Sequence, residues 1–312
     1  MKVLVTGGNG FVGKNLQKIR PDWVYISRKD ADLTNFSELC NVFDKVKPDA
    51  IVHLASSVGG LFYNMSNNIE ILEGNEIVNI NIMKACRMYN VTRGIFILST
   101  CIYPDRLCTI NDYVMTENDI HNGLPHHSNI GYATSKRVLD ILCDLHNKIH
   151  GTKFLRLVPS NLYGPYDHFD SEKSHVVPAL VTRIHNAKST VTIHGAPDTR
   201  RQFLYVKDFC NVISNCMDSI NSIDTANSIR NVVPKSENTI QQLVECIITS
   251  TNPQLQYTWT RKHSDIGQVK KTCSYNVDYD YTSLEKGIQE TVEFYKELVA
   301  SPLLVLNSIS DK

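Results

Sequence analysis

A short apolar run, Val3-Leu4-Val5-Thr6, breaks into Gly7-Gly8-Asn9-Gly10-Phe11-Val12-Gly13 and gives way to a helix-compatible stretch over 14–19. Glycines 7, 10 and 13 recur every third residue between a strand and a helix, and few folds accept that arrangement. Glycine lets the backbone reverse tightly and lets phosphate groups approach the main chain. The N–H groups that open the helix, with its dipole behind them, then favour an anion. Gly7, Gly8, Asn9, Gly10, Phe11, Val12 and Gly13 therefore read as the pyrophosphate turn of a dinucleotide site. The alternative is a tight turn with no ligand.

The rest of the first half keeps the same alternation. Residues 23–26, 50–54, 95–99 and 154–158 have the composition of buried strands, while Phe36–Val46, 67–90 and a run starting at Tyr132 have helical spacing. The last of these carries Val138, Leu139, Leu142, Leu145 and Ile149 as an apolar stripe expected to pack on the sheet. Strands alternating with helices predict an α/β fold, a Rossmann-type doubly wound parallel sheet. After about residue 165 the pattern is mixed, with helices near 176–187, 240–250 and 285–300 and a short strand at 190–194. Segments 203–209 and 228–233 are expected to return to the sheet. The expected organisation is a nucleotide-binding domain over 1–165, with returning segments near 203–235, and a smaller α/β substrate-binding domain over most of 166–312.

Composition removes several classes. Thirty-two basic and thirty-two acidic residues cancel, so nucleic acid is not an expected partner. No apolar run approaches the roughly 20 residues of a membrane span. The N-terminus runs straight into a strand without a leader-like apolar stretch, which points to the cytoplasm. Nine cysteines, an odd number without Cys-x-x-Cys, fit neither structural zinc nor a disulfide framework. His126-His127 lacks a third ligand and reads as exposed loop within a polar stretch over 105–128, so no metal is expected.

Ligands of a doubly wound sheet bind beyond the strand C-termini, and Ser56, Ser99, Cys101 and Asn161 all fall there. Tyr132 and Lys136 lie four residues apart on one helix face. A hydroxyl, a phenol and an ammonium together can reduce a ketone: Ser99 orients the carbonyl, Tyr132 gives the proton, and Lys136 is expected to lower the phenol pKa from about 10. The second strand ends in a basic tip, Ser27-Arg28-Lys29, which suits a 2′-phosphate and hence NADP(H). Asp30 and Asp32 stand close by, Asp32 and Leu33 are placed to line the adenine, and an exposed charge pair is the alternative for Arg28 and Lys29.

Gly7-x-x-Gly10-x-x-Gly13, Ser99 and Tyr132-x-x-x-Lys136 together resemble the extended short-chain dehydrogenase/reductase family. Leu54-Ala55-Ser56-Ser57-Val58-Gly59-Gly60, Ser99-Thr100-Cys101-Ile102-Tyr103-Pro104, Pro159-Ser160-Asn161-Leu162-Tyr163-Gly164-Pro165 and Ser174-His175-Val176-Val177-Pro178-Ala179-Leu180 resemble its branch that acts on GDP-linked 4-keto sugars. That resemblance implies NADPH-dependent epimerisation at C3 and C5 and reduction at C4 of GDP-4-keto-6-deoxy-D-mannose, giving GDP-L-fucose. It implies Cys101 and His175 as the epimerisation acid/base pair, with Ser99, Tyr132 and Lys136 completing the catalytic set. Cofactor contacts follow at Leu54, Ala55, Ser56, Ile97, Leu98, Ser99, Thr100, Tyr132, Lys136, Pro159, Ser160, Asn161, Leu162 and His175. Arg183, His194, Arg201 and Lys271 match substrate contacts, although the family more usually has Trp at the His194 position. The run from Asp265 to Lys271 also departs from its pattern. A homodimer through helices near 76–90 and 132–150 is implied as well. On residue type alone Cys101 is a small buried hydrophobe. Two other functions remain open: a nucleotide-sugar epimerase or dehydratase recycling bound NAD, and a non-catalytic dinucleotide sensor.

Overall fold

The computed structural model describes residues 1–110, 112–170, 174–261 and 270–301. The first half alternates as expected: β1 (Val3–Thr6), α1 (Phe11–Ile19), β2 (Val24–Ile26), α2 (Phe36–Val46), β3 (Ala50–His53), α3 (Leu61–Ser66), α4 (Asn68–Met88), β4 (Arg93–Ile97), α5 (Ile130–His150) and β5 (Lys153–Pro159). The second half contributes β6 (Asn161–Tyr163), α6 (Val176–Asn186), β7 (Thr190–Ile193), β8 (Arg200–Arg201), β9 (Phe203–Tyr205), α7 (Val206–Asp218) and β10 (Ile229–Val232). It ends with β11 (Asn238–Thr239), α8 (Ile240–Thr251), β12 (Gln256–Trp259), β13 (Lys270–Lys271) and α9 (Leu284–Ala300).

Six parallel strands form the main sheet in the order β10-β5-β4-β3-β1-β2. The chain moves from β1 outward to β2 and then returns to place β3 on the other side of β1. The loops after β1 and β3 therefore diverge, and a crevice opens between them. Strand residues point alternately to the two faces. Leu4, Ile51 and Phe96 pack on one side with Leu39, Phe43, Ile82, Met83, Leu139 and Cys143 from α2, α4 and α5. Val3, Val5, Val52 and Ile95 pack on the other with Leu16 of α1 and Phe209, Ile213 and Met217 of α7. Both faces are covered, which is why β1 and β3 are buried at every position. A third core joins α6, α8 and α9 through Val181, Ile184, Leu243, Ile247, Ile288 and Val292.

Three expectations need correction. Segment 203–209 does not join the main sheet: Phe203–Tyr205 pairs with β6, and α7 follows at once. Val206, Phe209, Cys210, Ile213 and Met217 have the helical spacing that the β-branched and aromatic start obscured. On α5 the buried line runs through Tyr132, Lys136, Leu139 and Cys143, so Leu145 and Ile149 of the supposed sheet-facing stripe are 45 % and 69 % exposed. The polar stretch 105–128 is not a loose loop, since Leu107, Cys108, Met115 and Ile120 enter the first core. Its Met115 N–H donates to the Thr272 carbonyl at 2.9 Å, and the Met115 carbonyl accepts from Ser274 N at 2.8 Å. Segment 228–233 does return, as the sixth strand. The buried Arg156 of β5 donates to Ser228 Oγ at 2.7 Å and sits 3.3 Å from the Asp140 carboxylate. Among the described residues no helix is long and apolar enough to cross a membrane.

The start of α5 is set by a close crossing. Gly131 N donates to Asn68 Oδ1 of α4 at 2.9 Å, and a Cβ on Gly131 would fall within contact of the Asn68 carbonyl oxygen. Gly131→Ala is therefore expected to destabilise the protein by about 1–3 kcal/mol through overpacking. The check is a urea melt, with a lowered midpoint at unchanged slope; an unshifted midpoint would show that the crossing has slack.

Candidate active site

The glycine turn closes on itself. Gly7 adopts φ +73°, Gly10 N donates to the Gly7 carbonyl at 3.0 Å, and a Cβ on Gly7 would come within 2.9 Å of Ala55 N in the loop after β3. At Gly10 a Cβ would meet a single atom, the Gly7 carbonyl oxygen, at a tight 3.2 Å. Helix α1 begins at Phe11, three residues earlier than expected, with no side-chain cap and no acid in its first turn. Its leading N–H groups are thus presented to a ligand without competition. Asn15 Nδ2 donates both to the Phe11 carbonyl, at 2.9 Å, and to the Pro165 carbonyl, at 2.8 Å, tying this turn to the loop after β6.

The loop holding Leu54, Ala55 and Ser56 is pinned from α4. Asn75 accepts from Ser57 N at 2.7 Å and Ser56 Oγ at 3.2 Å, and donates to the Ser57 carbonyl at 2.9 Å. At the tip of β2 both acids are held by neighbouring backbone and hydroxyl groups. Asp30 accepts from Ser27 N at 2.8 Å and Ser27 Oγ at 2.9 Å, and Asp32 accepts from Thr34 N at 2.9 Å. The Thr34 backbone and hydroxyl bonds, with the charge of Arg28, hold Asp32 below the usual carboxylate range. Arg28 is exposed at the tip, and Leu33 packs partly into the first core. Ser160 is buried with its hydroxyl unpartnered among the described residues. Uncapped helix, basic tip and an unsatisfied hydroxyl together fit the dinucleotide expected here. Asn161 is partly engaged elsewhere, its side-chain amide donating to the Gln202 carbonyl at 3.1 Å. Leu162 packs against the second core.

Ser99 opens a short 3₁₀ turn, Thr100–Ile102, by accepting from Cys101 N at 3.2 Å, which leaves Cys101 half-buried at the mouth of β4. Tyr132 and Lys136 lie beneath, both nearly inaccessible to solvent. Lys136 Nζ donates to the Ile97 carbonyl at 2.8 Å and sits 5.6 Å from the Tyr132 ring centre. Here the expected effect on the phenol is reversed. Burial, and next the nearby Cys101, push the Tyr132 pKa up, against a hydrogen bond with Ser99 that lowers it. Lys136 is itself pushed down to about 8 by burial. Desolvation is the largest cause of both shifts.

Sequence reasoning missed the group behind this pair. His53, fully buried at the end of β3, lies 2.8 Å from Thr6 Oγ1 and 3.2 Å from Asn79 Oδ1. Burial first, and the Lys136 charge second, hold its pKa down to about 3, so it is neutral. Asn75 and Asn79, one turn apart on α4, were the available clue, because buried helical asparagines need partners.

His175 precedes α6, outside the two faces of the sheet. Its ring reaches solvent on one side, and crowding by neighbouring groups, then the charge of His168, lower its pKa. Arg183 is exposed on the last turn of α6 and donates to the Thr192 carbonyl at 3.4 Å. His194 is exposed just beyond β7. Arg201 and Lys271 are register partners of β8 and β13. Both are electrostatic neighbours of Cys108, and Arg201 of Cys101 also. The cations are thus carried to the thiol side of the site. Asp265 lies outside the described residues.

Residues 3–231 match the model of the NAD dependent epimerase/dehydratase family. The chain is 33% identical to a probable GDP-L-fucose synthase of Drosophila melanogaster, over 95% of this chain and 97% of that protein. It is also 33% identical to the GDP-L-fucose synthase of Dictyostelium discoideum, over 94% of each. In structure it is similar to a GDP-L-fucose synthetase from Naegleria fowleri bound to NADP, with a TM-score of 0.84 and 31% identity over 96% of this chain and 93% of that one. The chain belongs to the NAD dependent epimerase/dehydratase family.

Proposed function

We propose that this chain is an NADPH-dependent epimerase/reductase that converts GDP-4-keto-6-deoxy-D-mannose into GDP-L-fucose. One observation carries the reading: a buried Tyr132–Lys136 pair packed below Ser99 and Cys101, at the mouth of β4. The bound cofactor would supply the hydride. Main-chain N–H groups of Gly7–Gly13 hold its pyrophosphate, Arg28 its 2′-phosphate, and the Ser160 hydroxyl one further polar group.

The chain's own groups divide the proton chemistry. Protons at C3 and C5, next to the 4-keto group, are removed and returned on the opposite face, which requires an acid and a base; Cys101 and His175 fill these roles. Negative charge develops on O4 in both stages and is stabilised by donors already in place, Ser99 and Tyr132. The raised phenol pKa suits this duty, since Tyr132 stays protonated until it gives its proton to O4. Arg183, Arg201 and Lys271 supply cations for the GDP diphosphate, with His194 at the edge. The third core acts as the substrate-binding portion, over most of 166–312.

The exposed side chains Ile69, Ile77 and Ile80 of α4 and Ile141, Leu145 and Ile149 of α5 form an apolar face, and we assign it to a homodimer. Nine free thiols are in keeping with a cytoplasmic setting. The test is incubation with GDP-4-keto-6-deoxy-D-mannose and NADPH. Stoichiometric NADPH loss with GDP-L-fucose as product is expected, whereas turnover without net NADPH loss would establish an epimerase that recycles NAD.

Tyr132→Phe should abolish reduction while solvent deuterium still enters at C3 and C5. If deuterium uptake stops as completely as reduction, the division of labour is wrong. Cys101→Ser keeps the size but not the acidity; it should still bind NADPH while exchange at the sugar carbons falls by about 10²–10⁴-fold. Mass spectrometry of the product in deuterated solvent reads this directly, and unchanged L-fucose formation removes Cys101 from the mechanism. Arg28→Ala should lose about 1.5–3 kcal/mol of NADPH binding, roughly ten- to a hundred-and-fifty-fold in affinity, with little effect on NADH. Equal losses for both cofactors would take Arg28 away from the 2′-phosphate.

A further inference from the structure

We infer that His126 is a further substrate-binding residue, donating a hydrogen bond from Nε2–H to the diphosphate of a nucleoside-diphosphate sugar beside Arg201 and Lys271. This rests on the function proposed above and adds a residue to that site. The sequence suggested only exposed loop at this position. In the structure His126 is half-buried and caps the short 3₁₀ turn His127–Asn129 that leads into α5. Its Nδ1 accepts from Ser128 N at 3.2 Å and lies 2.7 Å from Ser128 Oγ.

A backbone N–H can only donate, so Nδ1 is the unprotonated nitrogen and the ring proton sits on Nε2. Among the described residues Nε2 has no hydrogen-bond partner, which leaves a fixed donor without an acceptor. The segment carrying it is clamped in place: Asp105 N donates to the Leu124 carbonyl at 2.9 Å, and Arg106 donates to the Asn122 carbonyl from Nε at 3.1 Å and Nη2 at 2.7 Å. The turn that begins at Asp105 packs on β13, where Lys271 is paired with Arg201. The charges that face the ring are those of Asp105, His127 and Lys271; burial first, then His127 and Lys271, lower the imidazole pKa against the opposing charge of Asp105. A donor that faces Lys271, itself the register partner of Arg201, with its direction set by its own cap, is suited to a phosphate oxygen.

Two substitutions separate the donor from the cap. Asparagine can replace Nδ1 as cap acceptor but does not reach the Nε2 position, whereas glutamine reaches that position and loses the cap. His126→Asn is expected to keep the melting temperature and NADPH affinity of the wild type while GDP binding, followed by calorimetry, weakens by about ten-fold or more. His126→Gln is expected to melt earlier and to hold GDP more tightly than His126→Asn. GDP binding by His126→Asn equal to wild type overturns the inference. So does a loss seen with the GDP-sugar but not with GDP, or a loss that follows melting temperature across both variants. A wild-type protein that fails to bind GDP would instead remove the proposed function itself.

Discussion

Lys136 is where the fold and the site meet. Its ammonium is buried and satisfied by a main-chain oxygen, the Ile97 carbonyl at the end of β4. Removing a charge from water is expensive unless it is hydrogen-bonded, so α5 can sit only where Nζ reaches that carbonyl. The distance from helix to strand is thereby fixed, and with it the place of Tyr132 one turn earlier. The Gly131–Asn68 crossing fixes the other end of the same turn against α4. Two backbone contacts, one to the sheet and one to the neighbouring helix, define the position of the phenol.

Behind this pair lies a second polar layer that touches no solvent. Thr6, His53 and Asn79 connect the ends of β1 and β3 to α4, and Asn79 Nδ2 donates to the Ser135 carbonyl of α5 at 3.3 Å. Such networks stabilise when every member is satisfied and impose one arrangement of the elements they join. Here they join the strands that flank the crevice to the helix bearing Tyr132 and Lys136. A neutral His53 is the arrangement compatible with a cation nearby.

The main lines of this architecture were legible because they depend on local patterns. The turn at Gly7–Gly13, the alternation of strands and helices, and the return of β10 all follow from spacing and residue type. What escaped depended on context. The 3₁₀ turns between β4 and α5 look polar in sequence, yet they bury Leu107, Cys108, Met115 and Ile120 against partners from distant segments. The exposed line of α5 reads as a core stripe until α4 is seen beside it. The direction of the Tyr132 pKa could not be read from a Tyr-x-x-x-Lys spacing, because it depends on how deeply the pair is buried.

The position of β10 bears on the order in which the molecule can be made. Its neighbour β5 ends at Pro159, but β10 begins only at Ile229, after the chain has laid down much of the third core. During synthesis, β5 remains an open edge throughout that interval, offering unpaired backbone groups to any extended chain nearby. Arg156 also lacks its Ser228 acceptors until the same moment. The emerging N-terminal half is therefore a sheet that lacks its sixth strand until β10 arrives. Its final closure waits on contacts of long sequence separation, the kind that fold slowly and expose the chain to misassembly.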